Sequence, residues 1–278
     1  MNVSRISASS YSNTAPLIWS FLYGSNHGKV EIILDNAPAR SAELLSEDRV
    51  EAALVPVIAY QYIDGVRLIP NVCVGAKERA RSVCLVTKCE DLKDVRSVAL
   101  DISSLTSVVL IKIIFREFLG FEPEWREENP DIDAMLSNSD AALLIGDPAL
   151  VMSEQPWLAG DLIYRTFDLA ELWKHYTGFG FVFAMWMTRR EKCEIDFAAA
   201  RDEGLAHIDE IVANYESEIR IGRGKLKEYL SENISYSIDD TMQRGLELYF
   251  ELAAKNGFID KNNPIETAAA GRNDQKDS

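Results

Sequence analysis

Four times in this chain a short apolar strand runs into a helix start made of small, hydroxyl or amide residues, an order that points to an α/β fold. Residues 3–8, 29–34 and 51–55 carry strand patterns, and 14–23 and 38–46 carry helix patterns. This βαβαβ order calls for a mainly parallel sheet with helices on its faces. After a short helix at 57–62 and extended segments at 67–74 and 82–87, the alternation restarts. Strands at 98–100, 124–126 and 141–145 then enclose helices at 106–119 and 132–136, giving a second α/β half.

A helix at 170–175 and an apolar strand at 179–186 follow, and the remainder reads as helices at 197–218, 225–230 and 239–255. With no third sheet to cover, those helices are expected to pack back on the first half. The domains are then discontinuous: lobe I from 1–87 plus 189–266, lobe II from 88–188, with crossings near 86–88 and 187–189. Two lobes joined by two crossings form a hinge around a cleft, the usual place for a ligand. The small, polar stretch 267–278 is expected to be a disordered tail.

The four junctions differ in chemistry. Ser9-Ser10-Tyr11-Ser12-Asn13-Thr14-Ala15-Pro16 and Ile102-Ser103-Ser104-Leu105-Thr106-Ser107 are rich in hydroxyl and amide groups, and Pro16 sits where a first helical turn accepts proline. The other two are Ala52-Ala53-Leu54-Val55 before Pro56, and Ala142-Leu143-Leu144-Ile145 before Gly146-Asp147-Pro148. Such side chains cap helices, and capping accounts for most of them. Free N–H groups and the positive end of a helix dipole also bind carboxylates without lysine or arginine. The first two junctions carry more donors than capping needs, which points to a small anionic ligand in the cleft.

Charge narrows the partners. With 29 Lys and Arg against 44 Asp and Glu the net charge is −15, which disfavours nucleic acid and anionic membranes as partners. Attraction for an anion must then be local. The four cysteines show neither metal nor redox spacing and read as reduced thiols. No basic and apolar leader opens the sequence, and no apolar run approaches the ~20 residues of a membrane span, so a cytoplasmic protein is expected.

Ser10-Tyr11-Ser12-Asn13-Thr14-Ala15-Pro16 resembles the Ser-Tyr-x-Asn-Thr-x-Pro opening of the chorismate dehydratases of the futalosine route to menaquinone. Further similarity lies in Ala53-Leu54-Val55-Pro56, Arg81-Ser82-Val83, Ser103-Ser104-Leu105-Thr106-Ser107-Val108, Leu144-Ile145-Gly146-Asp147-Pro148-Ala149-Leu150 and Tyr176-Thr177-Gly178-Phe179-Gly180-Phe181. The set occurs in the family's order over roughly residues 3–260. The resemblance implies a two-lobed fold like that of type II periplasmic solute-binding proteins, serving as an enzyme that removes water from chorismate to give 3-[(1-carboxyvinyl)oxy]benzoate. It also implies active-site positions at Asn13 and Ser82, and a cleft lined by Thr106, Ser107 and the Gly146-Asp147 turn. Two positions depart from the pattern: Gly180 replaces a usual proline, and Ser12 a usual apolar residue.

Chorismate carries two carboxylates, and the cleft offers two donor-rich helix starts. The favoured arrangement puts the ring carboxylate at Ser104, Thr106 and Ser107 and the enolpyruvyl end at Asn13, Thr14 and Ser82; the reverse stays open. Aromatisation needs a base and a proton donor. His175 near the cleft rim has no orienting carboxylate in sequence, and Asp147 reads as a helix cap. This leaves the substrate's own enolpyruvyl carboxylate to take the proton, held by Asn13 and Ser82. Arg40, in the first turn of a helix, is expected to face solvent. No metal-ligand spacing, phosphate loop or nicotinamide fingerprint is present, so no cofactor is expected. Two other readings share the fold: a solute-binding protein for an organic anion, and the sister enzyme 1,4-dihydroxy-6-naphthoate synthase.

Overall fold

In the computed structural model, residues 4–270 are described apart from 36–37, 155–157 and 160–161. Two five-stranded sheets carry the fold. The first contains β1 (Ser4–Ser9), β2 (Val30–Asp35), β3 (Ala52–Pro56), β4 (Arg67–Ala76) and β12 (Phe181–Thr188), in the order β2-β1-β3-β12-β4. The second contains β5 (Val83–Thr87), β6 (Ser97–Asp101), β7 (Glu124–Glu128), β8 (Ala141–Ile145) and β11 (Arg165–Asp168), in the order β11-β5-β8-β6-β7. A two-residue pair, β9 (Leu158–Ala159) with β10 (Leu162–Ile163), lies between β8 and β11 in the chain.

Every residue of β3, β5 and β8 is buried, as expected of central strands covered on both faces. The helices of the first half are α1 (Ala15–Leu22) and α2 (Pro38–Ser46), and those of the second are α3 (Thr106–Ile113), α4 (Ile132–Asn138), α5 (Gly146–Glu154) and α6 (Leu169–Thr177). Asp131 and Asp168 accept hydrogen bonds from N–H groups in the first turns of α4 and α6, and Gly178 ends α6 in the left-handed region. No helix among the described residues is long and apolar enough to cross a membrane.

Several expectations need correction. The sheets are mixed rather than mainly parallel: β12 runs antiparallel to β3 and β4, and β5 antiparallel to β8 and β11. These two strands also move the crossings. The chain passes between sheets at 77–82 and 178–180, because β5 already pairs with β8 from Val83 onward and β12 lies wholly in the first sheet. Both are continuous apolar runs, which reveal burial but not the partner.

The helix expected at 197–218 is two, α7 (Phe197–Ala206) and α8 (Ile208–Ile219), separated by His207, whose ring stacks on Trp19 at 3.8 Å. Then come α9 (Arg223–Glu228), a wider helical turn at Tyr229–Asn233, and α10 (Asp240–Lys255). α7 packs on α1, whereas α10 packs on β12 and also reaches α3 of the second half. α10 presses on the second crossing so closely that a Cβ at Gly245 would lie 2.0 Å from the Gly180 carbonyl oxygen. The expected tail is partly ordered: Ala268 donates to Leu68 on edge strand β4, and β14 (Ala269–Ala270) pairs with β13 (Lys192–Cys193). Residues 271–278 lie outside the described part.

Candidate active site

The loops after β1, β6 and β8 converge between the two sheets, at the C-terminal ends of parallel strands, where open α/β folds bind ligands. They enclose a cavity of about 70 Å³. From the first half come Ser9, Tyr11, Asn13 and Thr14; from the second come Ser103, Ser104, Thr106, Ser107 and Gly146. Leu54, Pro56, Val74, Val83, Ile145 and Phe183 supply apolar walls.

Each donor is set by local structure. Asn13 and Thr14 lie in the tight turn Ser12–Thr14 that opens α1, with Pro16 in the first turn of the helix behind it. The Thr14 hydroxyl donates to the Ser9 and Tyr11 carbonyl oxygens at 2.6 and 2.8 Å, so it shapes the turn and has no proton to spare for a ligand. Asn13 is buried and lines the cavity. Across the cleft, Thr106 and Ser107 form the first turn of α3, whose leading N–H groups lack intrahelical partners. The Thr106 hydroxyl accepts from Ile58 N–H at 3.3 Å, which leaves its own proton free, and the Tyr249 hydroxyl donates to the Thr106 carbonyl at 3.0 Å.

Two expected residues sit elsewhere. Ser82 is 1 % exposed and lies outside the cavity wall; its carbonyl accepts from Gly146 N–H at 2.8 Å, and its hydroxyl donates to the Ala80 carbonyl at 3.5 Å. Asp147 does not cap its own helix. Its carboxylate faces the first half and accepts from the backbone N–H and the hydroxyl of Ser12, so the residue that departs from the family pattern is the partner of Asp147. Burial raises the Asp147 pKa, the Ser12 bonds oppose the rise, and the charge of Glu218 adds to it.

Sequence reasoning gave no role to Tyr11, although it lies inside the quoted motif. Its ring packs on Gly146, where a Cβ would come within 2.8 Å of it, and Gly146 has φ +67°. Burial pushes the Tyr11 phenol up, a hydrogen bond with Ser103 opposes this, and the charges of Asp101 and Asp147 add to the rise. Asp101 in turn accepts from the Ser103 N–H and hydroxyl at 2.8 and 2.6 Å.

Arg81 is a second residue without an earlier role. It sits on the first crossing at φ +64°, its N–H donates to Asp168 at 2.5 Å, and its buried guanidinium binds Glu154 and, at 2.9 Å, Asn233. This ties the crossing that carries Ser82 to elements on both sides of it.

Among the described residues, Tyr11 is the one ionisable side chain in the cavity wall, and its raised pKa keeps it neutral near pH 7. His175 is exposed on α6 and contacts Tyr176 edge-on, away from the cavity. Arg40 faces solvent and pairs with Glu43. No group of three or more His, Cys, Asp or Glu among the described residues is placed to hold a metal ion. The site can therefore hold an anion by neutral donors and orient it against apolar walls, and it offers no cationic clamp.

The chain is similar to known proteins in fold and in sequence. Structures similar to this one include a protein of Archaeoglobus fulgidus, with a TM-score of 0.66 and 18% identity, covering 92% of this chain and 98% of that one. The periplasmic aliphatic sulphonate binding protein of Escherichia coli gives a TM-score of 0.63 at 13% identity, covering 99% and 95%. The second likeness shows the periplasmic-binding-protein fold. In sequence, the chorismate dehydratase of Thermus thermophilus is 31% identical over 235 residues, covering 79% of this chain and 85% of that protein. The menaquinone biosynthesis family matches residues 4–255, and this chain belongs to it.

Proposed function

We propose that this protein dehydrates chorismate to 3-[(1-carboxyvinyl)oxy]benzoate, in the cytoplasm and on the futalosine route to menaquinone, without a cofactor. The observation that carries the reading is the cavity wall itself: hydroxyl, amide and backbone donors from two facing helix starts, apolar surfaces between them, and no ionised side chain among the described residues. Such a wall suits a dicarboxylate whose reaction needs no protein base of ordinary strength.

The chemistry then runs through the substrate. Its enolpyruvyl carboxylate takes the proton from the ring carbon that bears the ether. The C–H electron pair becomes the new ring double bond, and the neighbouring hydroxyl leaves with a proton as water. Asn13 holds the carboxylate so that it faces the C–H bond, and Ser104, Thr106 and Ser107 hold the other carboxylate. Positioning of this kind is worth ~7 kcal/mol or more when geometry is ideal. The apolar walls strengthen each hydrogen bond.

Incubating the purified protein with chorismate and following mass and ultraviolet absorbance tests this. An aromatic product lighter by one water is expected. Tight binding of chorismate without conversion would instead indicate a solute-binding role.

A further inference from the structure

Behind the cavity wall lies a tyrosine that the reaction just described does not use. Tyr229 begins the wide helical turn Tyr229–Asn233, is fully buried, and projects toward the first junction from the C-terminal helices. Its hydroxyl oxygen has no hydrogen-bond partner of good geometry. Yet the side chains of Asn13 and Ser82 lie near enough to it to oppose the rise in its pKa. These come from different elements, the turn after β1 and the crossing before β5, and they are the two positions at which reaction was expected from the sequence.

A phenylalanine would fill the same apolar space without burying an oxygen that has to be desolvated. A hydroxyl has one proton to give and two lone pairs, so a single phenol can accept from an amide N–H and donate to a serine oxygen at once. Ser82 has its hydroxyl tied only by the 3.5 Å contact to Ala80, and Asn13 makes no other described side-chain hydrogen bond. Both are short of a partner that fixes their direction. The turn bearing Tyr229 is itself anchored to this place, because Asn233 accepts from the guanidinium of Arg81, the neighbour of Ser82. Wide helical turns of this type recur at functional sites.

We propose that Tyr229 is a positioning residue for the dehydration: its hydroxyl bridges the Asn13 amide and the Ser82 hydroxyl and so sets the direction in which Asn13 presents its remaining donor to the substrate. This rests on the functional reading above. Burial, together with the charge of Asp147, raises the phenol far above its ordinary pKa against the opposing effect of Ser82 and Asn13. Tyr229 is therefore neutral throughout the working range, and it orients neighbours without serving as a base.

The test is Tyr229→Phe, assayed with chorismate beside the wild-type protein and beside Ser82→Ala and the double variant. The expected result is a melting temperature unchanged or raised, kcat lowered at least ~10-fold, and KM within about threefold of wild type. Ser82→Ala should cost less in the Tyr229→Phe background than in the wild type, since the two side chains act as a unit. A role in packing alone would move stability and leave this split and this coupling untouched. Wild-type kcat in a folded Tyr229→Phe protein, additive effects of the two changes, or failure of the variant to fold would each overturn the proposal. If the wild-type protein does not convert chorismate, the functional reading falls and this inference falls with it. An active wild type with an unaffected variant overturns the inference alone.

Discussion

Ser12 and Asp147, 135 positions apart in sequence, fasten the two halves together across the mouth of the cleft. The backbone N–H of Ser12 lies 3.2 and 3.1 Å from the two carboxylate oxygens, and its hydroxyl lies 2.5 Å from one of them. Neither side chain lines the inner cavity; Asp147 lies instead in an outer depression with Ser10, Tyr11 and Glu218. The pair is a latch outside the reaction space.

Ser12→Ala tests the latch. A hydrogen bond to a charged group is worth about 1.5–3 kcal/mol, so its loss should shift the closed-to-open ratio about 10- to 100-fold toward open. Small-angle scattering of the ligand-free variant should show a larger particle than the wild type, with the difference reduced by saturating product. Identical profiles for the two free proteins would mean that this pair does not hold the lobes.

Gly146→Ala should damage activity and stability together. At φ +67° an alanine is strained, and its Cβ would press on the Tyr11 ring, which carries one wall of the cavity. Roughly 1–3 kcal/mol of stability should be lost, with turnover down at least ~10-fold. A variant as stable and active as the wild type would show that Tyr11 and Gly146 are not packed in this way.

Asp239 predicts a pH dependence of stability. It accepts from Thr241 and Met242 N–H at the start of α10 and pairs with Lys77, the first residue of the crossing, at 3.1 Å. Burial raises its pKa, but the bonds from Met242, Thr241 and Lys77 outweigh that and bring it to about 2. A folded-state value below the unfolded ~3.9 means the carboxylate stabilises the fold above that unfolded value, and the contribution is lost as pH falls toward about 2. Asp239→Asn keeps the cap and removes the charge. At about pH 6 it should cost roughly 0.5–1 kcal/mol, a modest figure because the group is partly exposed. In denaturant titrations the gap to wild type should narrow steadily below about pH 5. A gap that stays constant into acid would contradict the assignment.

Much of the architecture was legible because burial leaves a direct trace. β8 and α2 have the bounds read from the sequence, since one is a five-residue apolar run between polar residues and the other opens on Pro38. The donor-rich junctions were legible for the same reason: Asn13, Ser104, Thr106 and Ser107 do meet at one cavity. Choice of partner was not legible. An apolar strand such as β5 does not say which sheet it joins, which displaced both crossings, and a short strand such as β11, with Phe167 its one apolar residue, gave no signal at all. Asp147 followed the pattern of a cap, yet its carboxylate is taken by a residue from the other half. Tyr229 lies in a helical stretch whose apolar residues all read as core, so nothing in the sequence set it apart from its neighbours.

Turnover of chorismate by Asn13→Asp beside the wild type tests the account most directly. The change keeps side-chain shape and removes the N–H donors of the amide, and at neutral pH it sets a negative charge against the substrate carboxylate. Folding should be nearly unaffected, because the turn that holds residue 13 is fixed by the Thr14 hydroxyl and not by the Asn13 amide. The account predicts a folded protein with a melting temperature close to wild type and turnover lower by at least ~100-fold, the loss expected for one essential donor. A folded Asn13→Asp protein converting chorismate at the wild-type rate would contradict it and place the reaction elsewhere.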